Sequence, residues 1–412
     1  MADIGELEHS LSLLILLLGG IILITILLRP ALNRLGVPSL IGFMLLGFIL
    51  RVADYHYSFL SDDIYRIFEF LATVGIIFLL FRVGLESNLA GLRRQLKRAS
   101  VIWVGNILFS GILGFVAAYY LLGQDLIPSL FVAIALTATS VAISVGVWHE
   151  SKAIKSTNGE LLVDVAEMDD ISGMLLMALL FSAVPLLKDE VDIAATAVIA
   201  ETLGLLALKL LGFGTVCVLF SRYIEHRITA FFKKYMQLPG RILMIAGFGF
   251  IIAAIAGLIG FSVAIGAFFA GLIFSRDPDA VKLDTPFEIL SDFFTPFFFI
   301  GIGLNIQPDT LVTGLGIGGV LLAVAVIGKL AGTGGPAVLT TGWRDSILLG
   351  VSMIPRAEIA MIIMQRGLEL GDWAVPSEVF SGMVLVSLVT CIGAPLILRL
   401  LLRRWPQRSD NT

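Results

Sequence analysis

Asp169 and Asp170 stand side by side inside DVAEMDDISGM, which runs straight into the apolar LLMALLFSAVPLL. With Asp164 and Glu167 they place four acids within seven residues. An ionised carboxylate in hydrocarbon costs at least ~2.5 kcal/mol, even on lenient insertion scales. Adjacent carboxylates also repel, and burial disfavours their charge. Such a pair must hold a proton, meet a fixed cation or take up a mobile one. The chemistry it offers is competition between a proton and a small hard cation, which oxygen ligands suit. Lys329, in VLLAVAVIGKLAG, lies too centrally in its apolar run to snorkel and needs an acid. Thr137, Thr139 and Ser140 interrupt LFVAIALTATSVAISVGVW, and Pro355, flanked by Gly350, Arg356 and Glu358, interrupts SILLGVSMIPRAEIAMII. Proline removes a backbone donor and clashes with the carbonyl a turn earlier, which frees polar groups inside a membrane helix.

The elements that must position these residues are membrane helices. Of the 412 residues 58% are hydrophobic and 15% charged, against about a quarter charged in ordinary soluble domains. Apolar windows between charged or Pro/Gly-rich breaks predict about thirteen transmembrane helices, at 10–29, 38–51, 65–85, 100–122, 127–148, 160–187, 199–222, 241–257, 260–275, 287–305, 310–332, 344–367 and 377–402. The chain is thus an all-α polytopic membrane protein. Its opening, MADIGELEHS, lacks the basic start of a signal peptide, so the first run is expected to be a permanent span. Alternate loops carry the basic residues: Arg29 and Arg34; Arg93, Arg94, Lys97 and Arg98; Lys152 and Lys155; Arg227, Lys233 and Lys234; Arg276 and Lys282; Arg344; Arg403, Arg404 and Arg408. The positive-inside rule then puts the N-terminus outside and the C-terminus in the cytoplasm.

Two stretches echo each other. IGFMLLGFI from Ile41 matches IGAFFAGLI from Ile265, and FEFLATVGIIFLLFRVGL from Phe68 matches FEILSDFFTPFFFIGIGL from Phe287. The offset is about 220 residues in both, seven spans apart, so the second copy inserts upside down. This predicts two inverted five-helix repeats. Thr139 and Pro355 then occupy equivalent places in the fourth helix of each repeat, as a crossed pair of discontinuous helices requires.

LTATSVAIS, AEMDDISG, VIGKLAG and IPRAEIAMII, in that order on those helices, resemble the bacterial sodium/proton antiporters of the cation:proton antiporter superfamily, and within it the electrogenic two-aspartate branch. The likeness spans essentially the whole chain; AEMDDISG with a lysine five helices later is its specific part. The resemblance implies exchange of Na+ (or Li+) for H+ by alternating access, serving pH homeostasis. It implies Asp170 as the ion- and proton-binding carboxylate, and Asp169 as the partner of Lys329. Thr139 and Ser140 match the polar dipeptide at the first break, with Ser140 where some members carry an acid. Arg356 and Glu358 match a Pro-Arg-Gly-Glu element in which Ala357 replaces the glycine, and serve charge compensation. With Asp169 and Lys329 paired, Asp170 is free to hold a proton or to bind Na+ with hydroxyl, carbonyl and water oxygens. Glu167 and Asp164, one and two turns earlier, line the cytoplasmic approach, pair with Arg356, or sit as headgroup-zone acids at a helix start. The resemblance further implies a homodimer in a bacterial plasma membrane and two protons exchanged per Na+.

The resulting map has 1–99 as first span and dimerisation panel, 100–187 as one half of a core domain, 188–305 as linking and panel helices, 306–402 as the other core half, and 403–412 as a short cytoplasmic tail. No cofactor, enzymatic constellation or nucleic-acid partner is expected. GKLAGTGG has the wrong order for a phosphate loop, and no nucleotide-binding domain is expected after the last span. Cys217 and Cys391 read as small hydrophobes, His149 as interfacial, and Arg82 as a local partner of Glu86 four residues on. Two alternatives stay open: a K+/H+ antiporter of the same fold, and a sodium-coupled organic-anion symporter.

Overall fold

The computed structural model describes residues 2–34, 37–86, 96–188, 196–235, 240–275 and 284–407. Among them every regular element is helical. The basic residues Arg93, Arg94, Arg276, Lys282 and Arg408, used above to orient the chain, lie outside the described residues. In chain order the helices are α1 (Ala2–Arg34), α2 (Ser39–Tyr57), α3 (Asp62–Glu86), α4 (Leu96–Val116), α5 (Leu126–Thr137), α6 (Val141–Glu150), α7 (Thr157–Lys188), α8 (Thr196–Phe220) and α9 (His226–Tyr235). They continue with α10 (Gly240–Leu258), α11 (Val263–Phe274), α12 (Asp284–Leu304), α13 (Leu311–Lys329), α14 (Gly335–Thr341), α15 (Trp343–Ser352), α16 (Glu358–Leu370) and α17 (Ser377–Arg404).

Nine helices among the described residues are long and apolar enough to cross a membrane, with Ile242–Leu258 and Val263–Phe274 as shorter apolar helices. The span predicted at 344–367 falls on α15 and α16, each well short of the ~20 residues a bilayer requires. The segment after 222, predicted as a basic loop, is helical instead. A π-turn at Ser221–Glu225 carries α8 into α9, and Thr229 Oγ1 donates to Glu225 Oε1 at 2.7 Å across one turn. That side-chain bond and the amphipathic order of HRITAFFKKY explain a helix that a count of charges hides.

The chain divides into two compact units: Met1–Glu86, Val216–Ile259 and Val263–Pro308 form one, and Ser87–Thr215, Gly260–Ser262 and Asp309–Thr412 the other. The first is held by glycine contacts. A Cβ at Gly47 of α2 would overlap the Ile300 carbonyl of α12, and one at Gly303 of α12 would overlap the Met44 carbonyl of α2. In the same way Gly84 of α3 meets the Phe268 carbonyl of α11, and Gly271 of α11 meets the Phe81 carbonyl of α3. In the echoed stretches Gly47 corresponds to Gly271 and Gly84 to Gly303, so exchanging the copies turns one contact into the other. Lipid supplies no hydrophobic drive between helices, so backbone approach through small residues does the joining. Phe78 stacks on Phe294 at 5.2 Å and Phe81 packs on Phe287 at 4.9 Å behind these contacts. Arg82 pairs with Glu288 of α12 at 3.4 Å, a partner its spacing to Glu86 does not announce. Arg29 holds Asp292 with both guanidinium Nη atoms, at 2.5 and 2.9 Å.

In the second unit two helices are interrupted. α5 stops at Thr137, Ala138 turns to an extended conformation (φ −63°, ψ 144°), and α6 starts at Val141. α15 stops at Ser352 and α16 starts at Glu358. Both gaps fall where the hydroxyl cluster and Pro355 put them. They cross, because the Ser140 N–H donates to the Pro355 carbonyl at 2.9 Å. Ser144 Oγ donates to the Ser352 carbonyl at 2.7 Å and Trp148 Nε1 to Ser352 Oγ at 2.9 Å, so α6 carries the freed end of α15. Backbone groups that a membrane helix would satisfy internally are satisfied here across the crossing.

Candidate ion site

Interrupting a helix exposes its poles: carbonyls with partial negative charge at each C-terminus and N–H groups with partial positive charge at each N-terminus. Lys329 ends α13, and its Nζ donates to the Thr137 carbonyl at 2.6 Å, capping the C-terminal pole of α5. Arg356 does the same for α15, with Nη1 donating to the Met353 carbonyl at 3.1 Å, and at 3.4 Å to the Pro355 carbonyl and Thr139 Oγ1. Glu358 opens α16 and accepts a hydrogen bond from Ser140 Oγ, which stands just before α6, at 2.5 Å. One carboxylate thus faces two N-terminal poles.

Asp169 is 1% exposed and Lys329 fully buried. Their charges are 3.8 Å apart, Nζ to Oδ2, and the link between them is an amide. Asn106 of α4, fully buried, accepts from Lys329 Nζ at 2.6 Å and donates from Nδ2 to Asp169 Oδ1 at 2.6 Å. Thr333 Oγ1 adds a third bond, to Asn106 Oδ1 at 3.2 Å. Taking ions out of water costs several kcal/mol each, and only further hydrogen bonds of this kind make a buried pair tolerable. The backbone geometry behind it is specific. Lys329 leads into a π-turn at Leu330–Gly334, and a Cβ at Gly105 or Gly332 would come within 2.6 or 2.8 Å of the other's carbonyl oxygen. Only glycine at these two positions lets α4 and the π-turn approach closely enough for Asn106 to reach Lys329 and Thr333.

Asp170 is only half buried and lies within electrostatic range of Asp169, Glu167, Glu358 and Lys329. Among the described residues its carboxylate takes no hydrogen bond and joins no ion pair. α7 carries it beside both gaps: one turn on, a Cβ at Gly173 would touch Ile359 at 3.5 Å and Ala138 at 3.7 Å. Thr139 and Ser140 are each 4% exposed. Asp164 and Glu167 are half buried on the same helix, with Glu160 the near charge to Asp164. The side-chain hydrogen bonds of Arg356 go to Thr139, Met353 and Pro355.

Sequence reasoning brought together Asp169, Asp170, Lys329, the hydroxyl pair and the proline segment, but missed three supports. Asn106 and Thr333 are two. The third is α17, which anchors the unwound segment. There the Arg356 N–H donates to Thr390 Oγ1 at 3.2 Å, and the Arg356 carbonyl accepts from Ser387 Oγ at 2.6 Å and Cys391 Sγ at 3.1 Å. A lone amide in SVIWVGNILFSG was the signal available for the first of these.

The chain is similar to several known proteins. The high-affinity Na(+)/H(+) antiporter NhaS3 of Synechocystis is 28% identical over 342 residues, 81% of this chain and 71% of that one. The Na(+)/H(+) antiporter of Enterococcus hirae is 27% identical over 374 residues, 89% and 92% of the two chains. The Na(+)/H(+)-K(+) antiporter GerN of Bacillus cereus is 27% identical over 369 residues, 89% and 90%. The solved structure of the sodium proton antiporter MjNhaP1 from Methanocaldococcus jannaschii at pH 8 shares the fold, with a TM-score of 0.68 at 16% identity over 96% of this chain and 97% of that one. The model of the family described as sodium/hydrogen exchanger, transmembrane, matches residues 20–404. Crossed half-helices, a compensated aspartate and this match over nearly the whole length converge: the chain is a member of the transmembrane sodium/hydrogen exchanger family.

Proposed function

We propose that this chain exchanges Na+, or Li+, for H+ across a membrane by alternating access, with proton and cation competing for Asp170. The observation that carries the reading is the contrast within the aspartate pair: the charge of Asp169 is compensated and buried, while Asp170 has no hydrogen-bond or ion-pair partner among the described residues and is not completely buried. A carboxylate in that position can be neutralised by a proton, or by a cation that Thr139, Ser140, freed carbonyls and water help to dehydrate. Left bare it carries a desolvation cost through any conformational change, so only the occupied carrier moves readily.

The same reading takes the second compact unit as the moving core and the first as the panel of a homodimer. The chain has about thirteen spans, an external N-terminus and a cytoplasmic C-terminus in a bacterial inner membrane. The charge-compensated Asp169 beside Lys329 supports the electrogenic two-aspartate branch, with two protons per Na+. K+ is the second reading, favoured by the likeness to GerN, named a Na(+)/H(+)-K(+) antiporter.

The test uses everted vesicles with an imposed pH gradient, challenged in turn with Na+, Li+ and K+. Na+ and Li+ dissipate the gradient through the wild-type protein, and Asp170→Asn abolishes the effect. Equal dissipation by K+ moves the assignment to the second reading, and full exchange by Asp170→Asn removes Asp170 from the mechanism.

A further inference from the structure

We infer that Asn106 is a positioning residue that stands between Lys329 and Asp169 and so keeps Asp169 Oδ2 open to the transported cation. The inference rests on the reading of Asp170 as the cation carrier and adds a second carboxylate oxygen to its ligands.

The orientation of the amide is forced. A lysine ammonium only donates and an ionised carboxylate only accepts. Asn106 Oδ1 must therefore face Lys329 Nζ, and Nδ2 must face Asp169 Oδ1; the flipped amide would set donor against donor and oxygen against oxygen. Thr333 Oγ1 donates to the same Oδ1 and helps hold the amide in place. Trp103, one turn earlier on α4, donates from Nε1 to Ser172 Oγ of α7 at 3.0 Å, which fixes the register of α4 against the aspartates. The result is a lysine held 3.8 Å from Asp169 Oδ2, beyond hydrogen-bond range. That oxygen is buried and has no hydrogen-bond partner. A buried carboxylate oxygen kept empty beside an ammonium needs a reason, since closing about 1 Å would give both a charge-assisted bond. Asn106 is the spacer that prevents the closure. Asp169 stays compensated through the amide while Oδ2 is left without a hydrogen bond, 3.8 Å from the ammonium. When Asp170 releases its proton, a dehydrated cation can take an oxygen from each aspartate.

The prediction separates affinity from rate. In Asn106→Leu the lysine closes on Asp169, Oδ2 is consumed, and half-saturating Na+ rises about tenfold at fixed pH while the maximal rate stays within twofold. Thr333→Val, which unlocks the amide without removing it, shifts half-saturating Na+ about threefold in the same direction. Ser110→Ala, a buried hydroxyl one turn further along α4, leaves it unchanged. On an Asp169→Asn background Asn106→Leu adds no further shift, because the oxygen it protects is no longer a carboxylate. Wild-type half-saturation in both Asn106→Leu and Thr333→Val, or a loss of maximal rate alone, overturns the inference. If Asn106→Leu does not fold, Thr333→Val decides alone. Full exchange by Asp170→Asn is a separate failure, that of the carrier assignment, and is read from its own vesicles.

Discussion

The two compact units solve the same problem, joining helices where hydrophobic drive is absent, by opposite means. The first uses glycine against carbonyl, in two contacts that are images of one another, with stacked phenylalanines behind them. Its ion pairs among the described residues include Arg29–Asp292, Arg51–Asp54 and Arg82–Glu288, each with at least one partner toward a helix end. The second puts charge, amide and broken backbone at its centre. Of the seven buried side-chain atoms without a hydrogen-bond partner among the described residues, three belong to Asp169 and Arg356. Unmet polar capacity is costly, so a fold keeps it where something is to be bound or moved. On the proposed reading, the first unit is built to stay as it is and the second to change occupancy.

That contrast can be broken experimentally, and the largest effect is expected at Lys329. Lys329→Met strands the charge of Asp169 and frees the Thr137 carbonyl, and should cost roughly 3–5 kcal/mol of stability. It should also remove the voltage dependence of exchange. Adding Asp169→Asn restores much of the lost stability, measured as a recovered melting temperature in detergent. A single mutant as stable as wild type would mean the pair is not the keystone of this unit.

Thr390→Val comes next. It removes the acceptor for the Arg356 N–H and should cost about 1–3 kcal/mol, the penalty of a buried donor left unpaired. Glycine substitutions then sharpen the comparison between units. Gly47→Ala and Gly332→Ala both force backbones apart and should each destabilise by about 1–3 kcal/mol. Only Gly332→Ala should alter half-saturating Na+, because only it moves Lys329 and Thr333. Equal effects on ion affinity would erase the distinction drawn here. The mildest test uses no mutation. Under competition, each unit fall in pH across the protonated range raises half-saturating Na+ about tenfold at constant maximal rate, by mass action. A maximal rate that falls while half-saturation holds would mean that the two ions bind apart.

Much of this was legible in the sequence, and for a physical reason. A charge, a proline or a hydroxyl pair in an apolar window carries an energetic cost that has to be explained, so Asp169, Asp170, Lys329, Thr139, Ser140 and Pro355 stood out at once. Pro355 and the hydroxyls also gave the positions of both interruptions. Asn106 and Thr333 stayed hidden because a single neutral polar residue is cheap enough in a membrane helix to pass unremarked. The π-turn after Lys329 leaves no mark, since one extra residue per turn barely disturbs the apolar pattern. The helix at His226–Tyr235 was obscured by its own basic residues, which read as loop.

Lys329 is seated on the Thr137 carbonyl and the Asn106 amide, and neither of those partners titrates. On the proposed reading, protons and metal ions come and go at the neighbouring acids while the ammonium keeps its moorings. A turnover cycle of that kind would leave the Lys329 seat intact between one passenger and the next.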